Sequence, residues 1–273
     1  MKRIMRARTD SKTALIIAHP GHELRIWHWV EMQCPRVFVV TDGSGRSGTS
    51  RIETTGKLLT DSGAQPGGMF GEFTDKFLYQ QTQSKNLEFF EYLSNRMATE
   101  LIQHEIETVV GDAAEGIILA HDILREVRRA AIRIAEQKLG RDIKHFEFPL
   151  DSHPELVPPS ASEERLKFDL TATALARKLA VARNYPELSV LVDESIDFYG
   201  EEAFQQESLF VPNDHVYLAN ERGVIGYETH GKQMVKESQY KEVLLFKKHV
   251  QPIVTFLDQL HSFEAGKCVN GVS

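Results

Sequence analysis

The order of hydrophobic and polar positions divides the chain into short buried runs and longer amphipathic stretches. Thr13 to Ala18 is apolar without alternation, the pattern of a strand covered on both faces, and Arg36 to Gly43 (RVFVVTDG) repeats it. Glu107 to Ala113 reads as a third such strand and KHFEFPL as a fourth. Between them the periodicity predicts helices over His22 to Met32, Arg51 to Ser62 (ended by Gly63), Asn86 to His104 and His121 to Leu139 (closed by Gly140). Alternating strands and helices imply a parallel sheet with right-handed crossovers. The predicted fold is therefore α/β, a Rossmann-like, mostly parallel sheet flanked by helices. Ligands bind such sheets at the carboxyl ends of strands, and His19, Asp42 and the Asp112 to Glu115 segment all fall there.

From Asp151 the texture changes. DSHPELVPPSASEE reads as a linker or long loop, followed by a helix from about Glu163 to Arg183. Val216 to Tyr227 predicts a hairpin turning at Arg222-Gly223, and Tyr240 to Ser262 a closing helix interrupted near Pro252. We divide the chain into a core over 1–150 and an extension of the same domain over 151–273.

Composition narrows the class. The 273 residues are 41% hydrophobic and 26% charged, enough for a sizeable core in one large domain or two modest ones. A formal charge of −7 argues against a broad nucleic-acid surface. Two cysteines, Cys34 and Cys268, form no CxxC pair, which excludes a thiolate zinc site of that kind and a disulfide framework. The basic N-terminus carries an apolar run too short for a signal sequence, and no window approaches the roughly 20 apolar residues of a membrane span. The expectation is a cytoplasmic protein acting without membrane or nucleic acid; a homo-oligomer is compatible with it.

The chemistry concentrates in LIIAHPGHELRIW (Leu15 to Trp27), where two imidazoles and a carboxylate follow a buried strand directly. His19 and His22, at a strand-to-helix turn, can aim at one point. Catalytic zinc takes three protein ligands plus water, so a third ligand is needed, and His121 at another strand-to-helix connection is the best placed. His28, His104, His145, His249 and His261 read as surface or satisfied polar residues.

AHPGHE, followed by VVTDGSG, then RIE in a helix and GDAAEGIILAHD, resembles the PIG-L/LmbE-like metal-dependent de-N-acetylases over roughly residues 13 to 140. That family opens on His-Pro-Asp-Asp-Glu after its first strand. The resemblance implies His19 and His121 as metal ligands, with His22 standing where the family has an aspartate ligand. It also implies Arg51 and Asp75 as sugar contacts. The family's general base is Gly21 in this sequence, and glycine cannot accept a proton. Three neutral imidazoles can nonetheless bring a zinc-bound water to a pKa near 7.

A carboxylate is still wanted to pass a proton to the leaving amine. Candidates are Glu115, preferred, then Asp42 and Glu23, with Asp112 and Asp122 nearby. Each has a plainer reading: Glu23 as a helix-start carboxylate favoured by the dipole, Asp42 as the cap of the glycine-rich loop. TDGSGRSG lacks both the GxxxxGK and GxGxxG spacings and reads as a pocket rim, with Arg46 on its surface. Arg51 is either a substrate contact or an ion pair with Glu53. His230 is either an exposed turn residue or a substrate contact.

The function expected is zinc-dependent (or another divalent metal) hydrolysis of a small-molecule amide, an N-acetylated sugar or nucleotide sugar. The alternatives are a catalytically silent relative that binds a sugar or protein partner, and a metal-dependent hydrolase of a different bond.

Overall fold

A computed structural model describes residues 11–45, 47–213, 225–238 and 240–267. In chain order these form β1 (Thr13–Ile17), a 3₁₀ turn (His22–Ile26), α1 (Trp27–Gln33), β2 (Arg36–Thr41), α2 (Ile52–Ser62), β3 (Gln65–Phe73), α3 (Asp75–Gln83), α4 (Leu87–Gln103) and β4 (Thr108–Asp112). There follow α5 (Leu119–Leu139), β5 (Lys144–Phe148), β6 (Ala161–Asp169), α6 (Ala172–Arg183), α7 (Ser189–Tyr199), a second 3₁₀ turn (Glu201–Phe204) and β7 (Gln206–Pro212). The last elements are α8 (Gly226–Lys236), a π turn (Phe246–Val250) and α9 (Gln251–Lys267).

One seven-stranded sheet runs β3-β2-β1-β4-β5-β7-β6. The first five strands in that order are parallel, and β7 pairs antiparallel with both β5 and β6. The fold is α/β, as the alternating runs predict. The unbroken apolar stretches are explained by burial on both faces: Ala14 and Ile16 pack with α4, α5 and α9 through Phe90, Met97, Val127 and Leu257. Their neighbours Leu15 and Ile17 pack on the opposite side against Trp27, Trp29, Val30 and Leu59. Strand order reverses between β1 and β4, so the carboxyl ends of these two strands open the crevice where such sheets bind ligands.

Several helix ends match the sequence closely. Gly63 and Gly140 cap α2 and α5 in the left-handed conformation, and the Asn86 side chain accepts from Phe89 N–H at the start of α4. Other expectations are corrected. The helix expected from Glu163 begins only at Ala172, because Ala161–Asp169 is an edge strand paired with β7 on one side. Its charged residues are of the kind that discourages further pairing at a sheet edge. The interrupted closing helix starts at the π turn rather than at Tyr240, and Pro252 sits in the first turn of α9, where a missing N–H costs little. The hairpin expected over Val216 to Tyr227 lies largely outside the described residues, and Tyr227 itself belongs to α8.

Strand β3 was not legible, being rich in glycine and proline. It is an edge strand with register shifts, and at Gly67 a β-carbon would stand 2.3 Å from the Phe38 ring, so the close approach to β2 requires glycine. Strands β6 and β7, from the second half of the chain, complete the sheet begun by the first.

Candidate metal centre

The reversal point collects three histidines. His19 follows β1, and the left-handed Gly21 (φ 101°) turns the chain into the 3₁₀ turn that presents His22. His121 comes from the first turn of α5. Ring centroids lie 5.1 Å (His19 and His22), 5.3 Å (His19 and His121) and 4.6 Å (His22 and His121) apart. One nitrogen of each falls within 4.8 Å of the others.

Each ring turns its Nδ1 toward a carboxylate. His19 Nδ1 lies 2.9 Å from Asp75 Oδ1 and 2.7 Å from Thr41 Oγ1. Thr41 donates its own hydroxyl proton to the Ala18 carbonyl at 3.0 Å, so it accepts from His19, which places the ring proton on Nδ1. His22 Nδ1 lies 3.0 Å from Asp112 Oδ2, which also accepts from Ala18 N–H at 2.6 Å. His121 Nδ1 faces Asp151 Oδ2 at the longer distance of 3.4 Å, an electrostatic contact rather than an aligned hydrogen bond. Pairing through Nδ1 leaves each Nε2 for a ligand, the arrangement that orients metal-binding histidines.

Burial sets the protonation. It lowers the pKa of His19 and pushes that of His22 down to about 4, against the opposing pull of Asp75 and Asp112. At His121 burial also pushes downward, but Asp151 and Asp112 outweigh it and the net shift is upward. Asp112 is held down at about 2: burial opposes this, and His22 with its other partners overcomes it. His19 and His22 are thus held neutral, and a metal would displace the proton that His121 tends to keep. With ionised carboxylates behind them the three rings suit a divalent ion, and zinc sits about 2.0–2.1 Å from each imidazole nitrogen. The donor set fits such an ion.

The carboxylates expected to move protons are otherwise engaged. Both oxygens of Glu115 accept: from Leu150 N–H (2.6 Å) and Asp151 N–H (2.9 Å) on one side, from Ser152 N–H (3.0 Å) and the Ser152 hydroxyl on the other. Glu23, fully buried, accepts from Gly21 N–H at 2.8 Å and Thr55 Oγ1 at 2.7 Å, and burial raises its pKa. Asp42 caps the glycine-rich loop through Ser44 N–H and Oγ. Asp122 takes the N–H groups of Glu115 and Gly116 on Oδ1, and burial raises its pKa to about 8.

A cavity of about 270 Å³ opens beside His22 and His121. Arg51 lines it, and its Nε has no hydrogen-bond partner among the described residues. The ion pair considered for it does not form, since Glu53 pairs with Lys57 at 2.8 Å. His230 is exposed on α8, 6.3 Å between ring centroids from Tyr240, and is not among the cavity-lining residues. Arg46 lies outside the described residues. Sequence reasoning missed Asp151, placed in the loop after β5, and the whole wall contributed by α6 and α7. Neither carried a local signal.

These features define an α/β protein with a candidate metal centre at its strand-order reversal. Among solved structures it is similar to a deacetylase triple mutant involved in the teicoplanin biosynthetic pathway, at 12% identity and a TM-score of 0.50, over 75% of this chain and 99% of that one. It is also similar to the zinc-inhibited form of teicoplanin deacetylase, at 12% identity and 0.49, over 75% and 100%. No protein-family model and no curated protein matches the chain. The likeness is one of fold. Among the described residues no helix is long and apolar enough to cross a membrane.

Proposed function

We propose that this chain is a metal-dependent amide hydrolase of the de-N-acetylase type. Its substrate in this reading is an N-acylated sugar or nucleotide sugar met in the cytoplasm. The observation that carries the reading is the largely buried triad itself, three imidazoles whose Nδ1 atoms all face carboxylates beside an open cavity. Zinc or another divalent ion on His19, His22 and His121 would supply Lewis acidity to the acyl oxygen and acidify a water. The chain's own residues do the rest. Thr41 and Asp112 hold His19 and His22 in one tautomer by hydrogen bonds, and Asp75 and Asp151 lie against His19 and His121. Arg51, with its unpartnered Nε, meets the polar part of the substrate. Asp151, which faces both His121 and the cavity, is placed to carry a proton to the departing amine. Glu23, Asp42 and Glu115 support the site through the loops they hold.

A second reading has its own support. Leu188 fills the volume beside Gly21, where the family's base would project, as in a relative that binds without hydrolysing. The test is release of free amine from a panel of N-acylated amino sugars by zinc-loaded protein, with His121→Ala as control. Hydrolysis abolished by chelation and by His121→Ala supports the first reading. Stoichiometric zinc with no turnover on any N-acyl sugar supports the second.

A further inference from the structure

The cavity has two unlike sides. One is the metal corner, His22 and His121 with the bare backbone of Gly21. The other is hydrocarbon: Leu179 and Ala182 from α6, Leu188 before α7, then Leu191, Val192 and Ile196 along α7. Of the three cations that line it among the described residues, Arg51 acts on His19 at the metal corner, and the other two are already engaged. Lys178 Nζ pairs with Glu207 at 2.8 Å and donates to the Arg25 carbonyl at 2.7 Å. Arg25 donates to the carbonyls of Pro149 and Ser152 and lies over the Phe204 ring. Neither is left to recruit an anion.

The apolar wall continues out of the cavity. Leu191 lines it yet is 61% exposed, so it stands at the mouth. Val190 is 69% and Phe198 80% exposed on the same helix, of which only Ile196 is buried. Large apolar side chains left in water beside an apolar cavity mark a binding surface. The volume of 270 Å³ far exceeds the ~10–15 Å³ that admits one water, and an acetyl methyl would leave most of it unfilled.

From this we infer that the pocket beside the histidines holds a hydrocarbon acyl chain, so that the amide cleaved carries a medium-chain fatty acyl group rather than acetyl. The inference rests on the hydrolase reading above and names its substrate class. The acyl carbon–nitrogen bond breaks, water supplies the oxygen of the fatty carboxylate, and its protons go to the amine and to solvent. The chain runs from the metal corner along Leu188 and Val192 toward Leu191. At position 21 an aspartate would place a charge against this chain; glycine with Leu188 beside it keeps the near end apolar.

The test compares N-acetyl-, N-butanoyl-, N-hexanoyl-, N-octanoyl- and N-dodecanoyl-glucosamine on the zinc-loaded full chain. Each added methylene should raise kcat/KM about three- to fourfold until the pocket is full. Octanoate binding to chelator-treated protein, read by calorimetry, gives a second measure independent of turnover. Val192→Phe should shift the preferred chain to a shorter one and weaken octanoate about tenfold, and the exposed Leu191→Asp, which burdens folding little, should weaken it as well. Hydrolysis that favours acetyl throughout overturns the chain inference and leaves the hydrolase reading standing. Faster cleavage of an N-acetyl sugar with a long alkyl aglycone, without gain from N-octanoyl, also overturns it. Octanoate bound and weakened by both variants, with no hydrolysis of any substrate, keeps the pocket and sinks the hydrolase reading. Failure of octanoate to bind overturns the inference directly.

Discussion

Gly21 and Leu188 compete for one volume: a β-carbon on Gly21 would stand 2.2 Å from Leu188 Cδ1, and the glycine backbone is left-handed at φ 101°. A side chain at position 21 would meet two separate obstacles. Leu188 can swing aside; the backbone cannot change without moving His22.

The first prediction concerns placing a carboxylate at position 21. Gly21→Asp should destabilise the fold by about 1–3 kcal/mol, from the left-handed backbone and the Leu188 contact together. Combining it with Leu188→Ala should relieve the steric share relative to either change alone, a coupling readable in a double-mutant cycle by urea unfolding. A single variant as stable as wild type would show that the turn adapts freely.

Metal affinity should follow the carboxylates behind the rings. Asp75→Asn, Asp112→Asn and Asp151→Asn should each weaken zinc by about 10- to 100-fold, measured by chelator competition at fixed pH. Asp151→Asn should be the mildest, because its contact with His121 is 3.4 Å against 2.9 and 3.0 Å for the other pairs. His19→Ala, His22→Ala and His121→Ala should each lose stoichiometric zinc. Full retention in all three would end the shared-site reading.

Glu115 separates support from chemistry. As the acceptor for three backbone N–H groups and a hydroxyl around Asp151, it should cost about 2–4 kcal/mol when changed to Ala, and zinc should weaken with it. A proton carrier would behave differently. Glu115→Gln would then lose turnover and its acidic pH limb while melting at the wild-type temperature.

The pH dependence of stability has a source remote from the metal corner. His145 accepts from Arg128 Nε at 3.0 Å, and burial, with the nearby Arg128, Arg125 and Arg129, holds its pKa well below the ordinary 6.5. The folded chain therefore binds fewer protons at this site than the unfolded one. Its contribution is present above pH 6.5 and is lost as pH falls below it, by up to about 1.4 kcal/mol per pH unit. His145→Gln keeps an acceptor for Arg128 and should flatten that slope between pH 5 and 6.5 in metal-free protein. An unchanged slope would show that His145 is protonated in the fold.

Much of this architecture is written locally. Runs such as Leu15 to Ala18 have to be buried on both faces, and Gly63, Asn86 and Gly140 end or begin their helices by backbone conformation and capping. Those properties depend on residues a turn or less apart, so the parallel core and the strand ends carrying His19 and Asp112 could be read directly. The edge strands β3 and β6 could not, because an edge is defined by what pairs with it.

The sequence by itself thus determined the α/β alternation, the strand-end position of His19 and His22, and the type of donor a metal would find. Only the tertiary structure decided which carboxylate backs which ring, that Asp151 from an apparent linker faces His121, and that Leu188 takes the place beside Gly21. The physical reason is distance along the chain. Burial and capping act between near neighbours and leave a period or a signature, whereas Asp151 and Leu188 reach the site through the pairing of β5 with β4 and the packing of α6 and α7, which no local pattern encodes.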